Sequence, residues 1–356
     1  MRKYDKCLIN KLLEPGYEKD GVIFKPIPDD STPGALDNRE RDILKEWIKN
    51  AADGNKLSLS DHRRRAGYLN FNLNEVEIIP DVAFVPFRSS SVRLWIYKRR
   101  KPFDRLDRPA VLYIHGGGFF TGSPFTMENP MRLLAEKADA VVFNIEYSLA
   151  PEKKYPTQIE ECCAALDYII INADKYGIDP KKICISGDSA GASIAIATAM
   201  RNKEKIALEA LYYPACDMLC KRDVYDWDIS HYEISKEDEA LINARLGLGR
   251  MDGKGNISHM MMLVSLYLGE PEKAALYEVS PVYADLTGMP KTIMFLSEFD
   301  GLRIQDEYFA TRLKKFGVDT RVIIYRGVTH AFLEKMGFLP QAEASICELA
   351  KEIKAL

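Results

Sequence analysis

The stretch that decides the fold extends from Lys182 to Met200, with the sequence KICISGDSAGASIAIATAM. Its first part, through Ile185, is short, apolar and rich in β-branched residues, which predicts a buried strand. The part from Ala190 onward is rich in alanine, which predicts a closely packed helix. The stretch therefore predicts a strand, a tight turn and a helix in direct succession.

The turn between strand and helix, Gly187-Asp188-Ser189-Ala190-Gly191, has the pattern G-x-S-x-G. In this context such a turn gives its serine a strained backbone and an exposed hydroxyl. The two glycines lack a Cβ, so strand and helix can approach each other closely. Because three fixed positions also occur by chance, a glycine-rich turn with a solvated serine is the alternative. A nucleophilic Ser189 requires a base, an acid and oxyanion donors elsewhere in the chain.

Composition excludes several classes of function. The chain has 356 residues, 47% of them hydrophobic, and a formal net charge of −3, so it lacks the basic character of a nucleic-acid-binding protein. No apolar run follows the charged N-terminus, and none reaches the roughly 18–20 residues of a membrane span. Seven cysteines without framework spacing predict free thiols in the cytoplasm. Cys216 and Cys220 resemble a metal-binding pair, but no second pair accompanies them.

Strands and helices alternate along most of the chain, and residues 215–280 interrupt the alternation. Strands are predicted at 76–87, 92–97, 110–114, 138–147, 182–185, 210–213, 291–296 and 320–325. Helices are predicted at 39–52, from a capping box at Thr157 to about Gly177, from Ala190, near 306–316 and at the C-terminus. This order predicts an α/β fold with a mostly parallel sheet flanked by helices. In such sheets function gathers at the carboxyl ends of the strands.

A candidate base follows from elimination among the five histidines. His330 lies just after the predicted strand 320–325, which places it at a carboxyl end of the sheet. The others are less suitable: one in a basic run, one at the head of a glycine loop and two in the interrupting segment, namely His62, His115, His231 and His259. We therefore predict that His330 is the base.

A candidate acid is expected at another strand end, where it can orient the imidazole. Asp300 closely follows the predicted strand 291–296, and Glu298 is the alternative. The order Ser189, Asp300, His330 is the one that the α/β-hydrolase arrangement requires. The alternative for Asp300 is a turn or a cap of the next helix.

Candidate oxyanion donors lie in the loop His115-Gly116-Gly117-Gly118, after the predicted strand 110–114. Glycines let the backbone approach a substrate and direct N–H groups at it. We predict donors at Gly117 and Gly118, together with the N–H of Ala190 after the nucleophile. The alternatives are an ordinary glycine-rich loop and a phosphate-binding loop, but the glycine and lysine pattern of the latter is missing from this stretch. His115 is predicted to order the loop and not to transfer protons.

Two further segments have more than one interpretation. The basic run His62-Arg63-Arg64-Arg65 indicates a solvated face or, less favourably, a site for an anionic substrate. The apolar run at residues 260–264 indicates core packing or the lining of an acyl pocket.

These motifs together resemble the hormone-sensitive-lipase-like branch of the α/β-hydrolases (α/β-hydrolase fold-3). The matching pieces, in family order over about residues 80–335, are His115-Gly116-Gly117-Gly118-Phe119, Tyr147-Ser148-Leu149-Ala150-Pro151-Glu152, Gly187-Asp188-Ser189-Ala190-Gly191, Tyr213-Pro214 with Asp217, Asp300-Gly301-Leu302-Arg303 and His330-Ala331-Phe332. Three positions depart from the family pattern. Ser148 replaces the usual Arg, Ala192 an often present Gly, and Ile304 a common acidic residue.

The resemblance implies a single domain over residues 1–356, with a catalytic core at about 75–214 and 281–356. It also implies a helical cap built from about 1–60 and 215–280. Carried over, Ser189 is the nucleophile, Asp300 the acid and His330 the base, with Gly117, Gly118 and Ala190 as oxyanion donors.

The activity expected from these residues is that of a serine carboxylesterase acting on small, short- to medium-chain acyl esters. An acyl-enzyme intermediate is expected, with no metal or organic cofactor and with a small ester as the partner molecule. A homo-oligomer is left open. One alternative is a catalytically silent ligand-binding protein, as in the plant gibberellin receptors, although these have lost the histidine that is present here as His330. Another is an amidase or lactonase that uses the same triad.

Overall fold

The computed structural model describes residues 1–51, 58–65, 70–100, 107–219, 221, 224–246 and 264–356. Within these ranges one sheet contains ten strands: Tyr17–Lys19 (β1), Val22–Lys25 (β2), Ile78–Phe87 (β3), Ser90–Arg99 (β4), Arg108–Ile114 (β5), Val141–Glu146 (β6), Ile178–Asp188 (β7), Leu208–Tyr212 (β8), Lys291–Phe299 (β9) and Thr320–Thr329 (β10). They lie side by side in the order β1-β2-β10-β9-β8-β7-β5-β6-β4-β3.

Most neighbouring strands are parallel. The series from β2 through β10, β9, β8, β7 and β5 to β6 is parallel at every step. Antiparallel pairs occur at the two edges, where β1 pairs with β2, β4 with β6, and β3 with β4. The predicted α/β fold with a mostly parallel sheet is therefore confirmed.

The helices connect the strands and cover the sheet. Those described are Cys7–Leu13 (α1), Asn38–Ala51 (α2), Leu59–Arg65 (α3), Glu128–Ala138 (α4), Thr157–Ile171 (α5), Ala173–Tyr176 (α6), Ala190–Arg201 (α7), Glu239–Leu246 (α8), Arg303–Lys315 (α9) and Pro340–Lys354 (α10). Short 3₁₀ or π turns occur at Pro124–Met127, Lys203–Lys205, Ile229–His231, Val264–Leu268, Pro271–Ala275, Pro281–Tyr283 and Phe332–Lys335.

The helix after β6 differs from its prediction at the start. Thr157 is already the first helical residue, and Pro156 occupies the cap position without a side-chain hydrogen bond. The predicted capping box is therefore wrong, because the threonine hydroxyl lies one position too late to cap. The predicted end is close to the observed one: after a break at Asn172, α6 stops at Gly177, which has a left-handed φ of 66°.

Apolar side chains fill both faces of the sheet, as a parallel sheet requires. In β5, Leu112 and Ile114 belong to the core shared with α5, α7 and α9, whereas Val111 and Tyr113 belong to the core shared with α4 and α10. Successive side chains of an inner strand thus enter opposite cores, which explains why these strands are continuous apolar runs in the sequence. The carboxyl ends of the strands lie between the two helical layers.

The N-terminal boundary of the predicted cap is wrong. The resemblance implies that residues 1–60 lie in the cap, but β1 and β2 are strands of the main sheet, and β2 pairs with Val322–Tyr325 of β10. Leu12 of α1 is fully buried in the core that contains α10. The physical reason is that β10 would otherwise present an unpaired edge, which β2 covers.

Parts of the two segments that the resemblance assigns to the cap, after β2 and within 215–280, pack together beside the sheet. Leu36 and Leu44 share a buried cluster with Ile242 and Leu246 of α8, and the cluster extends to Phe299 at the end of β9. We name residues 36–51 and 225–246 the cap segments. Val264 is buried, while residues 260–263 and Cys220 lie outside the described residues, so both interpretations of the apolar run stay open and the prediction of a structural thiol at Cys220 stays a prediction.

Candidate active site

Three parallel strands bring the predicted nucleophile, acid and base to one edge of the sheet. Ser189, Asp300 and His330 are the residues directly after β7, β9 and β10. The Oγ of Ser189 lies 2.9 Å from Nε2 of His330. Nδ1 of His330 lies 2.7 Å from Oδ2 of Asp300. The three side chains therefore form one hydrogen-bonded series, although 141 positions separate the serine from the histidine.

Ser189 lies in a strained turn between β7 and α7. Its φ of 51° and ψ of −121° are outside the regions that L-residues normally adopt. The turn is possible because two glycines let α7 lie against the neighbouring strand: a Cβ would come 2.7 Å from the Ile114 carbonyl oxygen at Gly187 and 2.1 Å from it at Gly191. The local geometry is therefore that of a nucleophile elbow.

The imidazole of His330 is enclosed by groups that fix its position. Its side chain is 12% exposed and that of Asp300 is 1% exposed, so water has little access to their hydrogen bond. The ring of Tyr213 meets the ring of His330 edge to face at 4.9 Å. The guanidinium of Arg245 donates to the backbone carbonyl of His330 at 3.2 Å. The ring is thus held by a hydrogen bond at each nitrogen and by the contact with Tyr213, while Arg245 holds the backbone.

Asp300 and its alternative, Glu298, have different partners. Asp300 accepts a second hydrogen bond from the N–H of Leu302 at 2.9 Å, which aims its other oxygen at His330. Glu298 accepts from Nε of Arg326 at 3.0 Å and from the N–H of Gly327 at 2.7 Å. Its carboxylate therefore connects β9 to β10.

The glycine loop, whose Gly116 contacts Asp188 next to the serine, contains backbone N–H donors without a partner among the described residues. Gly117 and Gly118 have positive φ values of 115° and 60°, which suit glycine. Within the described part of the chain, no hydrogen bond uses the N–H of Gly117, Gly118 or Ala190. For Ala190 this follows from its place in the first turn of α7. These three N–H groups are therefore available as hydrogen-bond donors, and their role as oxyanion donors stays a prediction.

Two buried side chains, Asp188 and His115, contact the glycine loop and help to hold it in place. The N–H of Gly116 and the hydroxyl of Tyr113 donate to the same carboxylate oxygen of Asp188, at 2.8 and 2.7 Å. Burial raises the pKa of Asp188 to about 7. Burial also lowers the pKa of His115 to about 4, so this ring is neutral at pH 7, and it stacks on Tyr147 at 4.3 Å. These contacts agree with the prediction that His115 orders the loop.

The three departures from the family pattern are accommodated locally. The N–H and hydroxyl of Ser148 donate to the two oxygens of Glu161, at 2.7 and 2.6 Å. Ala192 is fully buried in the core of α7, and Ile304 belongs to the apolar cluster of the cap segments. None of the three replacements lies in the series of Ser189, His330 and Asp300.

Sequence reasoning missed the residues that support the site from a distance. Tyr232 donates its hydroxyl to the carbonyl of Asp300 at 2.7 Å, and the indole N–H of Trp227 donates to the carbonyl of Gly301 at 3.0 Å. Arg63 donates to the carbonyls of Phe120 and Ala150. Tyr232 and Trp227 lie in no recognisable motif, so the sequence gives no sign of their contacts with the site. Arg63 lies in a basic run, which is the one feature of the sequence that draws attention to it.

Two general properties concern metals and membranes. Among the described residues, no group of three or more His, Cys, Asp or Glu side chains could hold a metal ion together. The helices of the described ranges include none with the length and apolar character needed to cross a membrane.

Comparison with known proteins identifies the family. Residues 111–334 match the family model described as alpha/beta hydrolase fold, and the chain belongs to this family. An arylesterase of Saccharolobus solfataricus is 28% identical over 327 residues, which cover 89% of this chain and 99% of that protein. An arylacetamide deacetylase of Bos taurus is 28% identical over an alignment that covers 95% of this chain and 94% of that protein.

Solved structures show the same similarity. A hyperthermophilic esterase from Pyrobaculum calidifontis has a TM-score of 0.74 and 27% sequence identity, covering 90% of this chain and 98% of that one. The resemblance to the hormone-sensitive-lipase-like branch that the motifs indicated is confirmed.

Proposed function

We propose that this protein is a carboxylic ester hydrolase in which Ser189, His330 and Asp300 act as a catalytic triad. The observation that carries the proposal is the series of two hydrogen bonds, 2.9 Å from serine to histidine and 2.7 Å from histidine to aspartate. The names of the relatives, arylesterase and esterase, agree with this chemistry. The close approach of His330 to Ser189 favours hydrolysis over silent ligand binding.

The proposed reaction has two halves. Nε2 of His330 takes the proton of Ser189 while Oγ attacks the ester carbonyl, and Asp300 stabilises the imidazolium that forms. The N–H groups of Gly117, Gly118 and Ala190 bind the oxyanion of the tetrahedral intermediate. His330 then gives the proton to the leaving alcohol, and an acyl-enzyme remains. Water, activated by His330, hydrolyses this intermediate and restores the serine.

The substrate range is proposed to be small esters of short- to medium-chain acids. Amide hydrolysis at the same site is the second candidate, because one relative is named an arylacetamide deacetylase. A cytoplasmic location stays a prediction. A panel of p-nitrophenyl esters from acetyl to decanoyl, with acetanilides beside them, measures acyl length and separates esterase from amidase activity by the ratio of kcat/KM values.

Replacing the nucleophile tests the proposal. We expect Ser189→Ala to lower the hydrolysis of p-nitrophenyl acetate or butyrate by about 10⁵- to 10⁶-fold and to abolish labelling by a fluorophosphonate probe. Ser186→Ala is the matched control, since this serine is buried in β7 three positions earlier and its hydroxyl has no hydrogen-bond partner among the described residues. The control should keep the wild-type rate. Activity that persists in folded Ser189→Ala protein removes the proposal.

A further inference from the structure

Arg63 of α3 contacts two backbone carbonyls beside the candidate oxyanion loop. Its Nε donates to the carbonyl of Phe120 at 2.8 Å, and its Nη2 donates to the carbonyl of Ala150 at 2.9 Å. The same guanidinium forms two hydrogen bonds, of 2.8 and 2.7 Å, to the carboxylate of Glu152. All of these donors are engaged with groups of the chain itself.

The two carbonyls belong to loops that already touch each other. The N–H of Ala150 donates to the carbonyl of Phe119 at 2.9 Å, and the N–H of Phe120 donates to the carbonyl of Gly117 at 3.2 Å. The bonds from Arg63 therefore close a bridge between the loop of Gly117 and the loop of Ala150. The ring of His62, next to Arg63, meets Phe120 edge to face at 5.9 Å.

We propose that Arg63 is a positioning residue that fixes the glycine loop, so that the N–H groups of Gly117 and Gly118 point at the oxyanion. The inference rests on the proposed function, since it concerns the same reaction. A guanidinium suits this role because its rigid fork can serve a carboxylate and two carbonyls at once, which a lysine ammonium cannot do with the same geometry. Neither earlier interpretation of the basic run, a solvated face or an anion site, includes these contacts.

The pairing with Glu152 argues against an anionic substrate at Arg63. The carboxylate neutralises the guanidinium and occupies the face that an anion would need. Arg64, the next residue, provides a matched control because it is 76% exposed and pairs with Asp61 of its own helix. A charge removed at Arg64 changes the net charge equally but leaves the loop contacts intact.

The experiment compares Arg63→Gln, Arg63→Lys and Arg64→Gln with wild type. We expect kcat to fall by about 10- to 100-fold in Arg63→Gln with little change in KM, because a loop displaced by about an ångström loses transition-state contacts. The kcat of Arg63→Lys should lie between those of wild type and Arg63→Gln, and the kcat of Arg64→Gln should equal that of wild type. The rate ratio of an ester to its thionoester, which depends on the oxyanion donors, should also decrease in Arg63→Gln. General destabilisation would lower both rates together and leave that ratio unchanged.

Hydrogen exchange of residues 115–122 gives a readout that does not need activity. We expect faster exchange there in Arg63→Gln than in Arg64→Gln. If wild type hydrolyses esters and Arg63→Gln keeps its kcat, its thionoester ratio and its slow exchange, the inference is overturned while the proposed function stands. If wild type hydrolyses none of the esters, the proposed function fails, and the exchange comparison alone decides whether Arg63 fixes the loop. An anionic ester that loses binding in Arg63→Gln with kcat unchanged would contradict positioning.

Discussion

At the scale of single residues, the end of β9 carries two carboxylates with separate tasks. Asp300 forms a hydrogen bond with the imidazole of His330, whereas Glu298 accepts hydrogen bonds from the Arg326 guanidinium and the N–H of Gly327. Both are buried, so the difference lies in what each one faces and not in access to water. A substitution at each position can therefore separate the role in orienting His330 from the role in joining strands.

We expect Asp300→Asn to lower kcat by about 1,000- to 10,000-fold, because an amide cannot stabilise the imidazolium and its NH₂ favours the wrong tautomer. Glu298→Gln should keep kcat within a few-fold of wild type and should instead lower the melting temperature. Steady-state kinetics on one ester and thermal unfolding of both variants check this. A larger loss of kcat in Glu298→Gln than in Asp300→Asn would assign the acid to the alternative carboxylate.

The residues of the hydrogen-bonded series could be predicted because each lies at a strand end within a recognisable pattern. Arg63 could not be predicted as a contact of the loop, because 57 positions separate it from Phe120 and nothing in its neighbourhood signals a carbonyl. Tyr232 is likewise 68 positions from Asp300. Contacts between residues so far apart in the sequence depend on how the surface segments pack. Local sequence patterns do not predict that packing.

At the scale of elements, the inner strands and the edge formed by β3 and β4 were predictable, whereas the opposite edge, formed by β1 and β2, was not. β5 and the second half of β7, from Ile183 onward, are buried on both faces, so their sequences show a clear run. β1 and β2 have three and four residues, too few for a period, and β2 depends on β10 for its hydrogen bonds. The strand that carries His330 also continues to Thr329, beyond the apolar run that predicted it, which brings the histidine directly to the strand end.

Strand β8 contains a buried acid that makes stability depend on pH. Glu209 is fully buried, and burial raises its pKa to about 7 from an ordinary value of 4.5, although Thr292 donates a hydrogen bond at 3.0 Å. A carboxyl whose pKa is raised by folding favours the folded state while protonated. That contribution is complete below about pH 4.5 and is lost as the pH rises to about 7.

We therefore expect Glu209→Gln, which resembles the protonated acid, to unfold with nearly the wild-type free energy at pH 4.5. At pH 8 its free energy of unfolding should exceed that of wild type by up to about 3 kcal/mol. Urea unfolding at both pH values measures the difference. Glu204→Gln, on the exposed turn before β8, is the control and should show no gain. Equal differences at the two pH values would contradict the role given to burial.

At the scale of the whole molecule, two segments far apart in sequence support the edge of the sheet that carries the site. Glu40 of α2 accepts hydrogen bonds from the N–H and the hydroxyl of Thr329 and from the ammonium of Lys335. Tyr232 of the other cap segment supports Asp300. The proposed acid, Asp300, and the residue before the proposed base, Thr329, are thus each tied to a different segment.

The two cap segments are joined to each other by an ion pair. Nε and Nη2 of Arg41 donate to the two oxygens of Asp238 at 2.6 and 2.9 Å, and the N–H of Leu36 donates to the same carboxylate at 2.9 Å. Asp238 is fully buried, while the side chain of Arg41 is 14% exposed. Loss of the carboxylate would leave a largely enclosed guanidinium with only the exposed Glu237, 3.8 Å away, as a charge partner, at a cost on the order of 2 kcal/mol after allowance for its access to water.

Asp238→Asn should therefore loosen both segments together and not one of them. We expect limited proteolysis to cleave within 36–51 and within 225–246 at similarly increased rates, with a lower kcat because Tyr232 then supports Asp300 less firmly. Glu237→Gln is the matched control, since Glu237 is 76% exposed and lies 3.8 Å from the same arginine. If cleavage rises in one segment alone, the two segments are independent elements that happen to touch. If it rises in both, the two cap segments behave as one unit, and a kcat that falls with them shows that the site depends on their packing.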